Sequence, residues 1–113
     1  MSRTEILYYT TASGNSPVKK FVEGLSQSLQ EDLFLALDRL RQGGSLGMPL
    51  SRPLFNIALG LHELRFKERR SIYRVFYFIK RVDAIYLVHA LQKKTETIPD
   101  EDRRLILRRL KEI

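Results

Sequence analysis

The sequence predicts an α+β domain: an N-terminal helical hairpin packed on a twisted antiparallel sheet, with a C-terminal helix to close the chain. Three observations carry that expectation. Apolar residues recur at helical spacing from Val18 to Leu40; three strand-like runs rich in β-branched and aromatic residues follow between Leu61 and Leu91; an amphipathic segment begins after Pro99. Two short amphipathic helices must lay their apolar stripe on something else in the chain, and the strands supply it.

Taken in order, Tyr8 and its neighbours read as an extra strand. Ser16-Pro17 opens a helix, with Ser16 as N-cap, Pro17 at the first helical position, and Val18, Phe21, Val22 and Leu25 on one face. Ser28-Leu29-Gln30-Glu31 reads as a capping box, followed by Leu29, Leu33, Ala36, Leu37 and Leu40 and stopped by Gly43-Gly44. Residues 43–53 hold three glycines and two prolines and read as a loop. Strands are expected over Leu61–Phe66, Ile72–Ile79 and Ala84–Leu91. The charged stretches Lys67-Glu68-Arg69-Arg70-Ser71 and Lys80-Arg81-Val82-Asp83 have hairpin length, which makes the three strands an antiparallel meander. The last helix starts at Pro99-Asp100-Glu101-Asp102 and ends near Arg108, Arg109 and Lys111, a charge order that suits the helix dipole. Its apolar face is Ile98, Leu105, Ile106, Leu110 and Ile113.

At 113 residues the chain is a single domain, 1–113, long enough to bury a core without metal or disulfide staples. The absence of cysteine excludes disulfides, thiolate chemistry, iron–sulfur clusters and cysteine-based zinc sites, and two histidines argue against a His-based metal site. No metal or cofactor is expected. Met1 to Tyr9 include Glu5 and lack an apolar stretch of about 7 to 15 residues, and no run approaches the roughly 18 needed to span a bilayer, so the expectation is a cytoplasmic protein without membrane contact.

The net charge of +7 is unevenly placed. Residues 1–59 carry six Lys/Arg and five acids, residues 60–96 nine and four, and residues 97–113 five and four, so +5 sits on the strand region. Such a face suits a polyanion, most economically nucleic acid, although basic turns such as Lys67, Arg69, Arg70, Lys80 and Arg81 also discourage edge-strand aggregation. More informative are Arg65 and Arg74, which lie inside apolar runs. An arginine within a strand must face an open cleft or find a carboxylate, and Glu63 lies on the same face as Arg65. Two readings stay open: a structural ion pair of Glu63 with Arg65 or Arg74, or a clamp in which guanidinium groups on a rigid sheet grip phosphate oxygens. His89 is the group titrating nearest neutral pH, but it alternates with Ile85, Leu87 and Leu91, which points to the core. His62 falls on the face opposite Glu63 and Arg65 and stays outside the site.

Gly60-Leu61-His62-Glu63-Leu64-Arg65, Tyr73-Arg74-Val75-Phe76-Tyr77, His89-Ala90-Leu91-Gln92-Lys93-Lys94-Thr95 and Ile98-Pro99, in this order after Pro17-Val18-Lys19-Lys20-Phe21, resemble the pattern of RelE/HigB-like toxins of type II toxin–antitoxin systems, especially their phage-derived branch. The resemblance covers most of the chain. It implies a RelE-like, microbial-ribonuclease-like fold whose concave sheet face holds mRNA, and a metal-independent endoribonuclease that cuts mRNA on the ribosome, inhibits translation and arrests growth. In that chemistry a ribose 2′-hydroxyl attacks the neighbouring phosphorus, which calls for a base, an acid and positive charge.

Carried onto this sequence, the resemblance makes Arg74 the phosphate-stabilising arginine with Arg65 beside it. Lys93 and Lys94 form the basic pair after the last strand, Lys94 placed with the catalytic groups and Lys93 with RNA binding alongside Lys67, Arg69 and Arg70. Where ribosome-dependent relatives carry alternating lysines, this chain has Leu61 and Glu63, so Glu63 stands in as candidate base. No tyrosine of the last helix matches the family's catalytic tyrosine, and His89 remains a possible member. The implied partners are mRNA, the ribosome and a cognate antitoxin, of helix-turn-helix type and encoded adjacently. Two alternatives keep the chain but change its class: a ParE-like gyrase inhibitor, and a non-catalytic basic module that binds nucleic acid or a partner.

Overall fold

A strand, β1 (Glu5–Tyr8), leads the chain into two helices, α1 (Pro17–Glu23) and α2 (Gln27–Arg41); then come β2 (Ser51–Pro53), β3 (Leu61–Glu68), β4 (Ser71–Arg81), β5 (Ala84–Lys93) and α3 (Asp100–Leu110). The computed structural model describes residues 4–81, 83–93 and 97–113, with Lys93 described by its backbone alone.

The five strands form one sheet in the order β1-β5-β4-β3-β2. The meander β3-β4-β5 is antiparallel as expected, but β1 runs parallel to β5, with Ile6 opposite Ile85 and Tyr8 opposite Leu87, so the sheet is mixed rather than antiparallel. Alternation in β1 tells which side chains share a face; it carries nothing about the direction of the neighbour. The second addition is β2, inside what the composition marked as loop. It is a three-residue edge strand with Pro53 at its end, where no ladder donor is needed.

Local chemistry explains the helix boundaries. Pro17 opens α1 with Val18 and Val22 buried, although Ser16 makes no side-chain cap bond. The N-cap of α2 is Ser26, two residues before the Ser28 box: its Oγ accepts from the Leu29 amide at 3.2 Å and donates to Glu68 Oε2 at 2.8 Å. Starting there also lets Gln30 reach back to the carbonyl of Leu25 at 3.1 Å. Gly43, with φ +84, ends α2 after Gln42. The β3–β4 connection is tighter than expected, two residues rather than five, and Arg69 takes φ 58 there.

Each face of the sheet has its own core. Leu64, Phe66, Val75, Tyr77, Ile85 and Leu87 pack under Val18, Val22, Leu29, Leu33, Leu37 and Leu40 of α1 and α2. On the opposite face Leu61, Phe76, Val88 and Leu91 meet Tyr9, Leu54 and Ile106 of α3. The expected apolar face of α3 holds for Ile106, Ile98, Leu110 and Ile113, which pack here, while Leu105 lines the helix's outer side. A β-bulge joins the two halves of β5: Phe76 pairs with His89 and Tyr77 with Leu87, which leaves Val88 as the extra residue. The bulge flips the side-chain parity, so His89 shares the α3 face with Phe76 instead of lying with Ile85 and Leu87. Among the described residues no helix is long and apolar enough to cross a membrane.

Candidate nucleic-acid interface

Register places Arg65 opposite Arg74, Glu63 opposite Phe76, and Arg52 opposite Glu63, all on the α3 face of the sheet. Three guanidinium groups therefore converge on one carboxylate. Glu63 Oε1 accepts from Arg52 Nη2 at 3.1 Å and lies 3.8 Å from Arg65 Nε, while Oε2 lies 3.6 Å from Arg74 Nε. Glu63 and Arg74 are fully buried; the side chains of Arg65 and Arg52 keep 14% and 33% of their surface. Among the described residues one acid faces three bases here, and the two partly exposed arginines bring positive charge to the surface. Guanidinium groups fixed on a sheet present planar donors of the kind that suit carboxylate or phosphate oxygens.

Of the two sequence readings of Glu63, the ion pair is the one this geometry displays. Glu63 forms the ion pairs with Arg65 and Arg74, and the same pairs hold the guanidinium planes on a rigid sheet. Of the other site residues, Lys67, Arg69 and Arg70 stand exposed at the β3–β4 turn, at the end of the sheet beyond Arg65. Lys93 closes β5 opposite Ile72, and Lys94 lies outside the described residues.

His89 belongs to a separate network behind Phe76, on which its ring stacks at 5.8 Å. Nε2 lies 2.7 Å from Asp102 Oδ1, and Nδ1 lies 3.3 Å from Arg109 Nη1. Because a guanidinium only donates, Nδ1 accepts, and the ring proton sits on Nε2 and is donated to Asp102. Burial lowers the His89 pKa from its ordinary value, against the opposing pull of Asp102. Arg109 also donates to the Val88 carbonyl at 2.7 Å and lies over the Tyr9 ring, whose hydroxyl donates to Glu112. Both ring nitrogens being engaged, His89 fastens α3 to β5. His62 lies on the other face, stacked on Tyr77 at 4.9 Å.

Sequence reasoning missed Arg52, Asp102 and Arg109. Pro53 is the signal that could have found Arg52, because proline is tolerated at a sheet edge. Asp102, Ile106 and Arg109 lie at i, i+4 and i+7, one stripe of α3, and that spacing could have placed the two charges beside the buried Ile106. Among the described residues no group of His, Asp and Glu side chains is placed to hold a metal ion.

Fold and site define a small basic α+β protein with an arginine-rich sheet face. Residues 20–111 match the family described as Phage derived protein Gp49-like (DUF891), and the chain belongs to this toxin–antitoxin-associated family. Among curated proteins, none matches the chain.

Proposed function

We propose that the protein is the toxin of a type II toxin–antitoxin pair, of RelE/HigB-like type, and acts as a ribosome-dependent mRNA endoribonuclease. The observation that carries the reading is the convergence of Arg52, Arg65 and Arg74 on Glu63 on one sheet face. Arg65 and Arg52, partly exposed, touch the scissile phosphate. Arg74, fully buried, works from behind: with Glu63 it fixes the Arg65 plane and adds positive potential where the phosphorane charge develops. Lys93 at the end of β5, and Lys94 next to it in sequence, bind the RNA backbone. Glu63, enclosed by guanidinium groups, serves as the clamp of this site.

The partner is an antitoxin, of helix-turn-helix type and encoded beside the toxin. Exposed apolar side chains, Phe34 and Leu35 on α2 at 48% and 73%, support a protein contact away from the arginine face.

The test is mapping of mRNA 5′ ends minutes after induction of the chain, with Arg65→Ala and Arg74→Lys induced in parallel and their folding checked by thermal melts. New ends within translated regions, lost in folded variants, are expected. Growth arrest without new ends would overturn the ribonuclease reading and favour a gyrase-type inhibitor; unaffected growth would favour a non-catalytic binding module.

A further inference from the structure

Arg52 has a second neighbour besides the cluster. Between β2, the 54–60 connection and the start of α3 lies an open cleft of about 320 Å³, whose polar lining is Arg52, Asn56, Thr97 and Arg103 and whose apolar walls include Ile57 and Ile98. No acidic side chain among the described residues lines it. Both guanidinium groups are tethered. Arg52 Nη2 is tied to Glu63 at 3.1 Å, and Arg103 Nη2 donates to the Asn56 carbonyl at 3.2 Å. Each retains donors beyond that bond, and Arg52 Nε is buried with no hydrogen-bond partner among the described residues. A buried donor without an acceptor is unfavourable, so two tethered forks in a cleft with no acid among its described lining are suited to take an anion.

We propose that this cleft is a second anion site, binding an RNA phosphodiester one step along the strand from the scissile phosphate at Arg65 and Arg52, with Arg52 and Arg103 as its forks. Arg52 belongs to both places, which sets the two phosphates as neighbours on one strand. Ile57 and Ile98 give the intervening ribose or base an apolar surface. The ligand's identity as RNA rests on the function proposed above; the anion chemistry of the cleft stands on its own lining.

The experiment has two arms on the full chain. Inorganic phosphate is titrated while the Arg52 and Arg103 Nε–H and Asn56 side-chain amide NMR signals are followed, and a 2′-O-methyl RNA tetranucleotide, which cannot be cleaved, is bound across a salt series. Saturable shifts at those three residues are expected. Arg103→Gln, and Arg52→Lys, which keeps the charge beside Glu63, should weaken RNA binding about three- to tenfold and lower the salt slope by about one, while Arg104→Gln on the same helix leaves both unchanged. Equal loss from Arg103→Gln and Arg104→Gln, or no phosphate shift, overturns the site. If the phosphate shifts and the Arg103 effect appear in a protein that yields no cleaved mRNA, the ribonuclease reading fails and the anion site stands. If mRNA is cleaved and Arg103→Gln binds RNA like the parent, the site alone fails.

Discussion

Glu63 pairs with Arg52, Arg65 and Arg74 and has no exposed surface. Replacing one member of a buried ion-pair group leaves uncompensated charge in the interior, at a cost of about 3–5 kcal/mol. Glu63→Gln is therefore expected to lower stability by that amount in urea denaturation, and the double variant Glu63→Leu, Arg74→Met to recover most of it. A loss under about 1 kcal/mol in the single variant would show that the carboxylate is not what holds the arginines in place.

His89 sets a pH dependence at the same scale. Its pKa is lowered in the folded chain, so the unfolded chain, with a value near 6.5, takes up a proton first as pH falls. Stability is thus complete above about pH 6.5 and declines as pH drops below it, until the folded pKa is reached. Protonation would also turn Nδ1 into a donor facing Arg109, with the Asp102 carboxylate on the other nitrogen as compensating charge. Melting temperatures at pH 7.5 and 5.5 are expected to differ less in His89→Gln than in the parent chain. An equal fall in both would assign the effect to other groups.

At the scale of elements, the N-cap of α2 separates what was legible from what was not. Helical periodicity from Leu29 to Leu40 was plain, because apolar spacing reports the buried face directly. The start was not, because Ser26 and Ser28 both satisfy cap chemistry and the choice is made by Glu68, which is 42 positions away and bonds only Ser26. Ser26→Ala should cost about 1 kcal/mol and Ser28→Ala less than about 0.5, measured by thermal denaturation. The reverse ranking would restore the capping box. Gly60, with φ +85, turns the chain into β3, and a Cβ there would stand 2.9 Å from the Ile79 carbonyl oxygen. Gly60→Ala is expected to destabilise by about 1–3 kcal/mol, and an unchanged melt would show that the turn tolerates a shift.

The strands obeyed the same division. Leu61, Ile72 and Ala84 were legible as starts, to within a residue, because β-branched and aromatic runs between charged turns leave little choice. The bulge at Val88 was not, since one extra residue has no compositional mark, and it alone moved His89 to the α3 face. For the site, Glu63, Arg65 and Arg74 came together as alternation required, whereas Arg52 arrived from a segment whose glycines and prolines hid a three-residue strand.

Across the whole molecule, the charge surplus of residues 60–96 lies on the strands and their turns, and Lys67, Arg69 and Arg70 extend the arginine face toward the β3–β4 end. If RNA runs along that face, neutralising all three, as Gln, should reduce the salt slope of binding by about two to three while melting stays near the parent value. Loss of binding without a change of slope would place their contribution elsewhere.

The parallel pairing of β1 with β5 has a consequence for how the chain is made. Glu5 pairs with Ala84 and Tyr8 with Leu87, so β1 has no strand partner until about three-quarters of these 113 residues are in place. The meander of β3, β4 and β5 is local in sequence and can form early, whereas β1 must close a long loop to join it. A nascent chain interrupted before residue 84 keeps Ile6 and Tyr8 in solvent and its sheet one edge short. Of the five strands, β1 stands farthest in sequence from the strand it pairs with.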